Sequence, residues 1–131
     1  MPTPDFMRQT VLRYLECVSE SRVDEVLQLL ADNISVEDPV GGPAGTHVVG
    51  IEAVSIFFTQ GFSLNRPFPK RTSPVVTTAG NEAAVAFTLQ IEIGGKLQEL
   101  DVIDVMKFDE QKKISSLRAF WNYAERREVQ D

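Results

Sequence analysis

The strongest constraint on how this chain folds is a stretch of alternation. Val85, Phe87, Leu89, Ile91 and Ile93 take turns with Ala84, Ala86, Thr88, Gln90 and Glu92. Period-two spacing places the first set on one face of an extended strand, and that face needs a second layer to cover it. Gly94-Gly95 follows at once. Two adjacent glycines satisfy the positive φ angles of a tight hairpin turn, so the spacing predicts a return strand from Lys96 to Phe108. A polar turn over Asp109 to Lys113 then leads to a third strand from Ile114 to Tyr123. Consecutive strands joined in this way predict an antiparallel sheet. The charged Glu125-Arg126-Arg127-Glu128 reads as a solvated end.

The first half of the chain has a different period. Met7, Val11, Tyr14, Leu15 and Val18 recur at helical spacing between Phe6 and about Ser19. Ser21 to Asp24 reads as a cap for a second helix with a stripe of Val23, Val26, Leu27 and Leu30. Ile34, Val36 and Asp38 suggest a short strand, ended by Pro39 and a glycine-rich loop from Gly41 to Gly45. A third helix is expected from about Ile51 to Gln60, buried through Ile51, Val54, Phe57 and Phe58 and stopped by Gly61. Pro67, Pro69 and Pro74 make the next stretch extended. Helices first and strands second predict an α+β fold, with residues 1–131 as one domain.

Composition narrows the chemistry. A formal net charge of -6 disfavours nucleic acid and anionic membrane as partners. No apolar run approaches the ~20 residues that span a bilayer, and the N-terminus lacks the basic and apolar regions of a signal peptide. These features lead us to expect a cytoplasmic protein without membrane insertion. One cysteine, Cys17, leaves no internal disulfide, and His47 is the single histidine. A zinc site, a Ser-His-Asp triad or a Cys-His pair would each have to use that one imidazole, which lies in an expected loop beside Thr46 and reads as an exposed bystander. Proton transfer in such a chain falls to carboxylates, phenols or hydroxyls.

Two carboxyls sit in line with apolar residues. Asp104 shares a face with Leu100, Val102, Met106 and Phe108, so either burial keeps it neutral and able to donate a hydrogen bond, or the strand is rotated and turns it toward solvent or Arg118. Asp101 falls on the opposite face and reads as a surface charge. Asp38 follows Ile34 and Val36 and precedes Pro39. It is either a turn residue or a carboxylate at the mouth of an apolar cavity, where partial desolvation brings a general base toward its working pH. Tyr14 lies on the inward stripe of the first helix, and its hydroxyl needs a partner.

The segment from Ala31 to Gly41, ADNISVEDPVG, resembles the strand that carries the base in bacterial ketosteroid isomerases. Tyr14, upstream on a first helix, matches that family's oxyanion-hole tyrosine. Leu100 to Asp109, LDVIDVMKFD, resembles the segment that holds its protonated aspartate. The similarity extends from about Thr3 to Glu125, and is poorest over Leu64 to Pro74. It implies a cone-shaped, curved antiparallel sheet wrapped by three helices, as in nuclear transport factor 2, and a homodimer formed through the sheet. The activity implied is conversion of a 3-oxo-Δ5 steroid to the conjugated Δ4 ketone without a cofactor or metal. In that scheme Asp38 moves the proton, while Tyr14 and a neutral Asp104 stabilise the dienolate oxygen. Trp121, Val102, Phe87, Leu117, Met106, Phe57 and Phe58 become expected steroid contacts. Where some family members have tyrosines, this chain has Phe58 and Leu30, so Tyr14 would lack those supports. Competing readings are a SnoaL-like cyclase or isomerase of another polycyclic ketone, and a non-catalytic binder of apolar ligands.

Overall fold

The structure is a computed structural model and describes residues 2–129. The first helix, α1, spans Pro4–Ser19. It starts two residues earlier than the apolar stripe suggested, because Thr3 caps it: the Thr3 hydroxyl accepts the Phe6 N–H at 3.1 Å, and Pro4 fills the first turn. Met7, Val11, Tyr14, Leu15 and Val18 are all buried, as their spacing requires. The second helix, α2, is shorter than expected, Val23–Gln28, and has no side-chain cap. Leu30, placed by the sequence on its stripe, instead opens strand β1, Leu30–Glu37. Hydrogen bonding to a neighbouring strand outweighs the helical periodicity there.

The loop after β1 returns through β2, His47–Val49, which pairs with β1 antiparallel. His47 therefore lies on a strand and not in a loop, though it remains exposed. Helix α3 covers Ile51–Asn65 and passes through Gly61, where the sequence placed its end. Continuing the helix buries Phe62, which is 7% exposed. Burial of a phenylalanine contributes about 1.5–3 kcal/mol, more than the roughly 1 kcal/mol that a glycine costs in a helix interior. The helix ends at Arg66, which takes the left-handed conformation at φ 45°.

The second half is the expected meander. Strand β3, Phe68–Arg71, and the two-residue β4, Val76–Thr77, both pair with β5, Glu82–Ile93. The turn at Gly94 and Gly95, with φ 58° and 80°, leads into β6, Lys96–Phe108, in unbroken register from Glu82↔Lys107 to Ile93↔Lys96. Strand β7, Ile114–Phe120, is three residues shorter than expected, since the chain turns away into a short 3-10 helix at Tyr123–Glu125. The charged end is exposed but not free. Strand β8, Arg127–Glu128, pairs with β6, and Arg127 binds both Asp101 and Glu99.

The fold class is α+β, with one correction to the sheet. Its order is β2-β1-β7-β6-β5-β3, and β1 runs parallel to β7, so the curved, unclosed sheet is mixed and not purely antiparallel. A hairpin dictates the direction of its two strands, but β1 and β7 come from opposite ends of the chain and no turn ties them. Helices α1 and α3 pack across one face of the sheet, against strands that include β1, β3 and β5. Between these layers lies the core, with Phe108, Met7, Ile34, Met106 and Ile114 almost wholly sealed.

Gly61 provides a test of this account. An added Cβ there meets nothing within 4 Å. Gly61→Ala is expected to stabilise the protein by roughly 0.5–1 kcal/mol through lower unfolded-chain entropy and better helix propensity. Urea denaturation measures it, and a loss of stability would show that α3 does not run helically through this position.

Candidate functional site

Leu100, Val102, Asp104, Met106 and Phe108 all point inward from β6, and Asp104 is 4% exposed. The carboxyl lies within the apolar row and not in a rotated strand. Arg118, which would have been its partner on a rotated strand, points the other way, binding Glu37 at 3.2 Å and stacking over Phe120. Asp101 meets the surface and is paired with Arg127. Strand pairing fixes where Asp104 sits: it faces Val85 on β5 and Ala119 on β7.

Asp38 comes to the same cavity from β1, on the other flank of β7. It follows the last residue of β1, and its N–H donates to the Thr46 carbonyl at 2.8 Å. Two residues on, the Val40 N–H donates to the Ala119 carbonyl at 2.8 Å, which ties the turn to β7 opposite Asp104. The Trp121 indole N–H donates to Asp38 Oδ1 at 2.5 Å. Tyr14 reaches in from α1 with its ring edge-on to Phe58, centroids 6.4 Å apart. Phe58 and the buried Leu30 have no hydroxyl to offer Tyr14.

These side chains line one cavity of about 360 Å³. Tyr14, Asp38 and Asp104 contribute polar groups to it. Phe57, Phe58, Phe87, Val102, Leu117 and Trp121, which the resemblance singled out as ligand contacts, contribute walls. Met106 does not. It is 1% exposed and sealed in the core further along β6, since sharing a face with Asp104 does not ensure reaching the same space. The sequence also passed over Leu15 and Val18 of α1, Phe62 and Asn65 of α3, Pro67 and Pro69, and Ile91 and Ile93. The inward stripe of α1 and the inward face of β5 marked four of these as buried, but only tertiary packing separates a cavity wall from core. Ser35 and His47, hydrogen-bonded at 2.9 Å, lie outside the cavity. Among the described residues, no group of three or more His, Cys, Asp or Glu is placed to hold a metal ion.

The electrostatics follow from the apolar walls. Burial holds the Asp104 carboxyl well above the usual carboxylate range, and negative charge on Asp38 pushes it further up. Burial also raises Asp38, but the hydrogen bond from Trp121 favours its ionised form and opposes the rise. The Tyr14 phenol is raised well above its ordinary value by burial first, then by Asp104 and Asp38. Two carboxylates in one dry space repel each other, and the one with a donor ionises first. The arrangement therefore favours an ionised Asp38 beside two groups that still carry protons.

Comparison with other proteins agrees with this architecture. Residues 11–117 match the family described as a SnoaL-like domain. The chain is 31% identical over 115 residues to the steroid Delta-isomerase of Nocardioides simplex, across 88% of this chain and 89% of that one. Among solved structures, RV0760c from Mycobacterium tuberculosis superposes with a TM-score of 0.84 at 24% identity, over 96% of this chain and 98% of that one. The same protein in complex with estradiol-17beta-hemisuccinate gives a TM-score of 0.81 at 24% identity, over 89% and 94%. SalBIII, an epoxide hydrolase/cyclase-like enzyme in pyran ring formation in the polyether salinomycin, gives 0.81 at 21% identity, over 92% and 94%. At such identities the structural likenesses speak for the fold alone. The family match over most of the sequence carries more, and by it this chain belongs to the SnoaL-like family, with the nuclear transport factor 2-like fold and a steroid Delta-isomerase among its relatives.

Proposed function

We propose that the protein isomerises a 3-oxo-Δ5 steroid to the conjugated 3-oxo-Δ4 steroid. The observation that carries this reading is the meeting of Tyr14, Asp38 and a buried Asp104 in one apolar cavity. The relative named steroid Delta-isomerase, 31% identical over most of both chains, supports the choice of substrate class.

The chemistry needs one base and two donors. Ionised Asp38 removes a proton from C4, next to the carbonyl. The electrons of that C–H bond form a C3=C4 double bond as the carbonyl π pair moves onto the oxygen, giving a dienolate. The Tyr14 hydroxyl and the protonated Asp104 carboxyl donate hydrogen bonds to that oxygen, where negative charge develops. Donors already fixed in a dry cavity need no reorganisation at that moment, which makes them effective. Asp38 then returns the proton to C6, and the C5=C6 double bond becomes C4=C5. The substrate's carbonyl is the electron sink, so the step requires no cofactor. Outside the cavity, Ile103 and Phe120 are exposed cross-strand partners on the outer face of the sheet, and such a face suits a homodimer formed through the sheet.

The proton path is tested with Asp38→Asn. Conversion of a Δ5-3-ketosteroid, followed by the absorbance of the conjugated enone, is expected to fall by about 10²- to 10⁴-fold while steroid binding survives. Unchanged turnover would remove Asp38 as the base.

The pH profile of kcat/KM separates the two carboxyls. Asp38 must be ionised, so activity is lost as the pH falls through its raised pKa; Asp104 must be protonated, so activity is lost again as the pH climbs through a higher one. Asp104→Asn supplies an amide donor that does not titrate. It is expected to flatten the alkaline limb and keep the acid limb, and an alkaline limb that persists would belong to another group.

A stability measurement distinguishes catalysis from structure at Asp104. Its folded-state pKa is raised, so its contribution to stability is full below the unfolded carboxylate pKa and disappears as the pH rises through the folded value. Asp104→Leu strands no charge. The variant is expected to remain folded, to gain stability relative to the parent as pH rises, and to lose turnover. Urea titrations at several pH values check this, and a half-unfolded variant at neutral pH would make Asp104 a structural residue.

A further inference from the structure

The cavity continues well beyond the three proton-handling groups. Asn65, the last residue of α3, lines it too, as do Pro67, Pro69 and Ile93. Phe58, which packs on Tyr14, and Asn65 are seven residues apart on one helix, about 10 Å along its axis. On the sheet side, Asn65 meets the chain at Glu92, while Asp104 lies opposite Val85. Those seven residues of strand extend roughly 23 Å along the sheet's curve. Between the two ends the walls are apolar, with Phe62, Leu89 and Ile91 among them. The lining is therefore polar, apolar, then polar again, on a scale that admits a fused four-ring skeleton.

The Asn65 amide is held in a defined orientation. Its Nδ2 donates to the Glu92 carbonyl at 3.3 Å. A backbone carbonyl can only accept, so the nitrogen must face it, and Oδ1 remains as an acceptor on a partly buried side chain at the cavity wall. A ligand group that satisfies Oδ1 must carry a proton. A hydroxyl does, and a second ketone does not.

We infer that Asn65 is a specificity-determining residue that accepts a hydrogen bond from a hydroxyl at the end of the ligand remote from its reacting carbonyl. This rests on the cavity taking a polycyclic ketone, as proposed above. It adds that the ligand is polar at both ends and that its remote end is selected by an acceptor. Asn65 is too far along α3 to touch the reacting atoms, so it acts on affinity and not on the proton transfer.

The test is a binding comparison that needs no turnover. Two 3-oxo-Δ4 steroids differing only at C17, one with a β-hydroxyl and one with hydrogen, are titrated calorimetrically into the parent, Asn65→Leu and Asn65→Ala. The parent is expected to bind the hydroxylated steroid about tenfold more tightly than its deoxy partner, the value of one neutral hydrogen bond at a partly buried site. Both variants are expected to lose that preference, the hydroxylated ligand weakening about tenfold while the deoxy ligand changes little. Thermal unfolding of each variant establishes that it is folded, and two substitutions of different size guard against a failure peculiar to one. An undiminished preference in folded variants overturns the inference, as does equal weakening of both ligands, which would mark a purely structural residue. If the parent binds neither steroid, the proposed substrate class fails and this inference fails with it. Binding of both without discrimination overturns the role of Asn65 alone.

Discussion

The apolar surroundings of a single carboxyl govern what this molecule can do. Asp104 sits in the middle of a strand whose other inward residues are leucine, valine, methionine and phenylalanine, and among the described residues no arginine or lysine shifts its carboxyl. In such a place ionisation is opposed twice, by the loss of water and by the repulsion of Asp38. A carboxyl that stays protonated becomes a hydrogen-bond donor, and a carboxyl that donates is rare enough to give a cavity its chemical character. If an arginine reached this site, Asp104 would ionise, the charge of the cavity would change, and Asp38 would lose its contrast with it.

The fold supplies that contrast by drawing its polar groups from separate elements. Asp38 arrives at the end of β1, Tyr14 from the middle of α1, and Asp104 from the centre of β6. None is close to another in sequence. The parallel contact between β1 and β7 brings the first strand's end beside Ala119, and Ala119 is the cross-strand partner of Asp104. Trp121 then follows on the same chain segment and donates its indole N–H to Asp38. Ala119 itself lines the cavity, while the indole supports the ionised state of Asp38.

Large parts of this were legible in the sequence because they depend on local period and turn chemistry. The alternation from Ala84 to Ile93 and the glycine pair at 94 and 95 specified the central hairpin, and the same period put Asp104 in line with apolar residues; that this row faces inward at Asp104 was decided by the packed structure. Helical spacing placed Tyr14 on a buried face. The errors have a common cause. Gly61 stopped α3 on local grounds, but burial of Phe62 carries the helix past it. Leu30 fitted a helical stripe, but pairing with Ile114 draws it into β1. Met106 shared Asp104's face, and depth along the cone puts it in the core instead of the cavity.

The amino-acid sequence by itself determined the α+β class, the hairpin, and the apolar rows that Tyr14 and Asp104 interrupt, because periodicity and turn geometry act over neighbouring residues. The tertiary structure alone decided that β1 runs parallel to β7, that Trp121 reaches Asp38, and that the cavity extends to Asn65. Those outcomes depend on contacts between segments far apart in the chain, where no turn dictates direction and only the packing of one layer on another selects the partner.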